Sequence, residues 1–178
     1  MTRLLLLLFV GTNSFTNVVT DLSFLRKKII STSQEYAHGG FVNALNSVYR
    51  SIETSIADDL GNKRLVITGH SLGGALASLL TFNLSVEYRD SEPVLYVYGC
   101  PPVGDENLSA FFEGKPSYVI TIQGDPVSTG TLVTIGPWAG LYKPMEEFYL
   151  PKAAGHSLSD YIEQLEKLNE KKLALIFE

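Results

Sequence analysis

The chain has 178 residues, few enough for one domain and enough to bury a sheet between helices. Its hydrophobic content of 45% and charged content of 19% exclude a disordered segment. The net charge of -5 argues against a nucleic-acid partner, and the single cysteine, Cys100, excludes an internal disulfide framework.

In chain order, Met1-Thr2-Arg3 precedes the apolar run Leu4-Leu5-Leu6-Leu7-Leu8-Phe9-Val10. One positive charge before such a run resembles a short signal peptide. However, Gly11-Thr12-Asn13-Ser14 is turn chemistry without a small-residue cleavage pattern. The run reads better as a buried strand of a parallel sheet, and it is too short to cross a bilayer. That reading and the lone cysteine favour a cytoplasmic location over secretion. A polar, turn-rich stretch with Asp21 follows, then the basic cluster Arg26-Lys27-Lys28, read as a solvated face, and a loop through His38-Gly39-Gly40. Phe41, Leu45, Val48, Ile52 and Ile56 recur at helical spacing up to the stop at Leu60-Gly61-Asn62. Residues 65–68 are a strand, and 74–80 a helix. Further strands fall at 94–98, stopped by Gly99, and at 118–122, stopped by Gly124-Asp125-Pro126. Residues 131–135 and 147–150 suggest a hairpin around Gly136-Pro137. A last helix carries Tyr161, Ile162, Leu165 and Leu168 behind a capping pattern from Ser157 to Asp160. Strands alternating with helices predict an α/β fold with a mostly parallel sheet flanked by helices, and its chemistry belongs at the carboxyl ends of the strands.

Between the strand at 65–68 and its helix lies Gly69-His70-Ser71-Leu72-Gly73. A G-x-S-x-G turn in this setting is a nucleophile elbow: small residues either side of the serine let strand and helix approach and lift the hydroxyl clear of the sheet. The Leu72 N–H and the positive end of the helix then face any charge forming near the serine oxygen. Serine is a poor nucleophile without a base, and the base needs an orienting carboxylate. The chain has three histidines. His70 adjoins the serine and points away from its hydroxyl, which gives it a structural role. His38 lies upstream, against the order Ser, acid, His expected on this scaffold. His156, just before the last helix, is therefore the base. The acid must lie between the serine and His156 at a strand end, which selects Asp125 over Asp90, at the end of the elbow helix, and Asp105, in a proline-glycine loop. Thr12, ending the first strand, is placed to supply the second oxyanion donor beside Leu72.

Together these segments resemble the class 3 lipases, the fungal triacylglycerol lipase family with feruloyl esterases and plant acylhydrolases. The resemblance runs from Phe9-Val10-Gly11-Thr12 and Asp21-Leu22 through His38-Gly39-Gly40-Phe41 to Tyr98-Gly99-Cys100-Pro101-Pro102-Val103-Gly104 and Gly124-Asp125-Pro126-Val127. The stretch Thr68-Gly69-His70-Ser71-Leu72-Gly73-Gly74-Ala75-Leu76-Ala77 is its most specific part. The resemblance implies an α/β-hydrolase fold, a triad of Ser71, Asp125 and His156, and an oxyanion hole of Thr12 and Leu72. Val10 and Pro102 stand where the family has arginine, and the interval from acid to histidine is short. These departures suggest a lost salt-bridge network and a trimmed wall on the substrate cleft.

The expected protein is a single lipase-like catalytic domain over residues 1–178, cleaving carboxylic esters of lipids through an acyl-enzyme. The reaction needs no metal and no cofactor. Its partner is a lipid or other ester substrate, with room for transient contact with a membrane or lipid-droplet surface. A non-catalytic lipid binder is the alternative from another class; a feruloyl esterase, phospholipase or thioesterase would keep the same chemistry. Residues 13–20 occupy the place of the family's lid. Trp138, Leu141, Tyr142, Phe148 and Leu150 are candidates to line an acyl cleft.

Overall fold

The computed structural model describes residues 4–9, 26–60, 62–128, 146–151 and 155–167. Within them, five strands form one sheet: β1 (Leu4–Phe9), β4 (Arg64–His70), β5 (Val94–Tyr98), β6 (Ser117–Ile122) and β7 (Glu146–Leu150), in that spatial order and all parallel. A separate two-stranded ribbon pairs β2 (Arg26–Lys28) antiparallel with β3 (Tyr36–His38). The helices are α1 (Gly39–Ile56), α2 (Leu72–Glu87), α3 (Glu106–Phe112) and α4 (Leu158–Glu166). The α/β fold with a mostly parallel sheet, expected from the strand–helix alternation, is present.

The main core lies on the face of the sheet covered by α1 and α2. Leu65, Ile67, Leu95, Val97 and Val119 point there and meet Leu45, Ala75, Leu79 and Phe82. α2 is apolar nearly all round because it lies sandwiched between sheet and α1. Its buried Ser78 and Thr81 hydroxyls donate back to the carbonyls of Gly74 and Ala77, so they need no outside partner. The opposite face holds a smaller cluster, in which Ile120, Ile122 and Leu150 pack against Tyr161 of α4.

Two sequence expectations are corrected and two are filled in. β1 is not buried on both faces: among the described residues it is an edge strand, and Leu4, Leu6 and Leu8 are 60%, 58% and 66% exposed while Leu5, Leu7 and Phe9 pack on the core. An all-apolar run carries no sign of whether both its faces are covered. The segment expected as a loop through His38 is instead strand β3 followed directly by α1, whose first residue is Gly39. The 147–150 segment is β7, which pairs in parallel with β6; its expected hairpin mate at 131–135 lies outside the described residues. The cluster Arg26-Lys27-Lys28 is exposed as expected, but as strand β2.

Candidate active site

The turn between β4 and α2 is tight because its two glycines leave no alternative. A Cβ on Gly69 would stand 2.3 Å from the Gly73 carbonyl oxygen, and one on Gly73 would stand 2.4 Å from the Phe9 carbonyl oxygen. Chain segments that close exclude any side chain. Between them Ser71 takes φ 57 and ψ -127, a conformation that costs a non-glycine residue roughly 1–3 kcal/mol. The Ser71 N–H donates to the Tyr98 carbonyl at 2.9 Å, tying the elbow to the end of β5. Leu72 is the first residue of α2, so its N–H has no acceptor within the helix.

His156 immediately precedes Ser157, the N-cap of α4. Ser157 and Asp160 form a reciprocal capping box, as the pattern in the sequence predicts. The His156 Nε2 lies 2.7 Å from Ser71 Oγ, and its Nδ1 lies 2.8 Å from Asp125 Oδ2. A carboxylate only accepts, so Nδ1 carries the proton and Nε2 is left to accept from the serine hydroxyl.

Asp125 lies beyond β6, in a turn where its N–H donates to the Ile122 carbonyl. It is completely buried. Its Oδ1 accepts from the N–H groups of Val127 (2.8 Å) and Ser128 (3.3 Å). Its Oδ2 accepts from His156 and from the Tyr161 hydroxyl, the latter at 2.6 Å. Burial alone would raise the pKa of this carboxyl; the hydrogen bonds from His156 and Tyr161 outweigh it and hold the group below the ordinary carboxylate range. The carboxylate is therefore charged beside the imidazole at neutral pH.

The structure thus brings Ser71, His156 and Asp125 into one continuous chain of hydrogen bonds. The rejected candidates lie elsewhere. Asp105 is the N-cap of α3 and accepts from the Leu108 N–H, while Asp90 is exposed beyond the end of α2. His38 is buried against Phe41, and burial lowers its pKa to about 4. His70 points away from the serine hydroxyl, as expected, and makes a specific contact: its Nε2 lies 2.7 Å from the His156 carbonyl oxygen, linking the elbow to the segment that carries His156. Burial, and then the nearby His156, lower the pKa of His70. A neutral His70 donates from Nε2 to that carbonyl.

Thr12, the lid segment 13–20, Trp138, Leu141 and Tyr142 lie outside the described residues. Of the other cleft candidates, Leu150 is core and Phe148 packs against Tyr118. Two residues next to the site were missed. Tyr161 reads in sequence as one more apolar position of a helix, although a buried tyrosine hydroxyl requires a partner and so signals one. Gly99, read only as a strand stop, has φ +56, and a Cβ there would stand 3.0 Å from Asp125 Oδ2 and 3.1 Å from His156 Cε1. A side chain at this position would intrude between Asp125 and His156.

A parallel sheet with a serine lifted on a strand–turn–helix elbow, facing a histidine and an aspartate from later loops, is an α/β-hydrolase arrangement. The sequence profile described as Lipase (class 3) matches residues 6–134, and the chain belongs to the class 3 lipase family. The Rhizomucor miehei protein named Lipase is 30% identical over 105 residues, covering 56% of this chain and 29% of that protein. The Fusarium solani protein named Secreted mono- and diacylglycerol lipase 1 is 32% identical over 123 residues, covering 66% of this chain and 36% of that protein. The crystal structure of a lipase from Rhizopus microsporus var. chinensis superposes with a TM-score of 0.70 at 26% identity, over 82% of this chain and 52% of that one. The chain therefore spans well under two thirds of the length of these relatives.

Proposed function

We propose that residues 1–178 act as one catalytic unit, a serine hydrolase that cleaves carboxylic esters of lipids. The observation that carries this reading is the hydrogen-bonded chain Ser71 Oγ–His156–Asp125, at 2.7 and 2.8 Å. Kinship with proteins named lipases supplies the substrate class.

In this mechanism Ser71 Oγ attacks the ester carbonyl carbon while His156 Nε2 takes its proton. Asp125 holds the imidazole in the required tautomer and stabilises the imidazolium that forms. The tetrahedral oxyanion is held by the Leu72 N–H, aided by the N-terminus of α2, with Thr12 as the second donor. Collapse of the intermediate returns the proton from His156 to the departing alcohol and leaves an acyl group on Ser71. Water, deprotonated by His156, then attacks the acyl carbon. The second collapse frees the carboxylic acid and restores Ser71.

A non-catalytic lipid binder would have no use for a buried charged carboxylate aligned on a histidine and a serine. Labelling with a fluorophosphonate decides between the two. The wild-type chain is expected to be labelled on Ser71 and Ser71→Ala not at all; no labelling of the wild type, or equal labelling of the variant, overturns the proposal. A panel of p-nitrophenyl esters, mono- and diacylglycerols, phospholipids and feruloyl esters then ranks the acyl groups. The lipid esters are expected to lead, and turnover of feruloyl esters alone would move the chain to another branch of the same chemistry.

A further inference from the structure

We infer that Tyr161 is a positioning residue of the catalytic site: its hydroxyl holds Asp125 and sets how strongly the carboxylate acts on His156. This rests on the serine-hydrolase reading above and adds to it a residue that takes no part in bond making.

Tyr161 is completely buried on α4, ringed by Ile120, Ile122 and Leu150. The Ile122 N–H donates to its hydroxyl oxygen at 3.2 Å. With that acceptor position occupied, the hydroxyl proton is directed to Asp125 Oδ2, 2.6 Å away. The direction is unambiguous, since an ionised carboxylate has no proton to offer. Burial, and then the bond to Asp125, raise the tyrosine's own pKa, so its hydroxyl keeps its proton and donates at neutral pH.

His156 and Tyr161 donate to the same oxygen, and both come from the start of one helix. The Ser157–Asp160 capping box lies between them and fixes that first turn. α4 therefore delivers the base and clamps the acid as one rigid piece, and a further bond, from Ile122, ties that piece to the end of β6. Edge-on contact of Tyr161 with His70, at 5.6 Å between ring centroids, completes the connection to the elbow.

Two donors on one oxygen also share its charge. The tyrosine hydroxyl draws negative charge on Oδ2 toward itself and so weakens the pull of Asp125 on the proton at His156 Nδ1. Removing the hydroxyl should do two things: loosen the carboxylate and make His156 more basic.

The test is Tyr161→Phe, with Tyr49→Phe as control. Tyr49 likewise donates from a buried side chain to a carboxylate, that of Glu87, but between α1 and α2. On a soluble p-nitrophenyl ester, kcat of Tyr161→Phe is expected to fall about tenfold with KM little changed, less than the roughly hundredfold that a full ångström of misplacement costs. The acid limb of the pH–rate profile should move up by about half a unit, and the NMR titration of His156 should move with it. Tyr49→Phe should lower the melting temperature and leave the profile and titration in place. An unmoved His156 titration in Tyr161→Phe overturns the inference, whether or not kcat falls, because any loss then does not pass through Asp125. An equal shift in Tyr49→Phe overturns it too. The titration needs no turnover, so a failure of the serine-hydrolase reading, seen as undiminished activity in Ser71→Ala, is separable from a failure here.

Discussion

The two faces of the sheet do different work. On one, α1 and α2 cover the strands with a continuous core, in which Ile67, Leu79, Leu95 and Phe41 are fully buried. On the other, among the described residues, α4 covers only the region around Ile120, Ile122 and Leu150, and the outer leucines of β1 remain exposed. Yet the sparsely covered face supplies His156 and the donor that holds Asp125. The densely packed face raises the serine, through the close approach of Gly73 to the backbone of β1. Burial is densest where Ser71 is strained into position, while His156 and Asp125 are set by a few hydrogen bonds on the thinner side.

Substitutions at the reacting atoms break this comparison most severely if it is wrong. Ser71→Ala is expected to lower kcat by roughly a millionfold, the loss typical of removing such a nucleophile. Its melting temperature should barely change, because one hydroxyl contributes little packing. A variant that loses fold and activity together would show that the elbow is part of the core. Asp125→Asn should cost about ten thousandfold in kcat, since the amide favours the wrong imidazole tautomer. Asp105→Asn should match the wild type, because asparagine caps α3 as well as aspartate does. Reversal of those two rates would move the acid to Asp105.

Paired leucines on the two faces sharpen the stability half of the contrast. Leu79 of α2 is fully enclosed, so Leu79→Ala should cost about 2–5 kcal/mol in urea unfolding. Leu6→Thr, on the outer face of the edge strand, should stay within about 0.5 kcal/mol. A cost for Leu6→Thr close to that for Leu79→Ala would show that the outer face is covered in solution, and the asymmetry would disappear.

How much of this was legible in the sequence depended on whether the information is local. The elbow was, because Gly69 answers a steric demand made within five residues, although the demand on Gly73 comes from Phe9 in β1. The capping box of α4 was too, since Ser157 and Asp160 satisfy each other's backbone. That His156 and Asp125 would meet Ser71 could be expected because chain order and strand ends leave few candidates. What escaped depends on distant partners. Nothing in the run of leucines says that, among the described residues, β4 is its neighbour on one edge and its outer face stays exposed. The parallel pairing of β7 with β6 is invisible in a segment that reads equally well as a hairpin arm. The seven-residue α3 is too short to show a period, although Asp105 before Glu106 is a cap signal. Tyr161 escaped because helical spacing marks it as buried without saying what its hydroxyl meets.

The smallest expected effect is on the pH dependence of stability, and it too separates the faces. His38, at the N-cap of α1, has its pKa lowered by burial to about 4. An unfolded histidine titrates near 6.5, so between those values the unfolded chain takes up a proton that the folded chain refuses. The stability this provides is complete above about pH 6.5 and is lost as pH falls toward 4, at up to about 1.4 kcal/mol per pH unit. His70, also lowered, adds a loss of the same sign on the other face. Asp125, lowered relative to an unfolded aspartate, contributes stability present above about pH 4 and lost only as pH falls through its lower folded value. Melting temperatures should therefore decline in two stages on acidification, the histidine stage first. In His38→Gln the first stage should flatten, leaving the part due to His70, while the later stage is unchanged. If the decline between pH 6.5 and 4 keeps its full slope in that variant, the α1 side of the molecule is not where the first protons are taken up, and His70 alone carries the response.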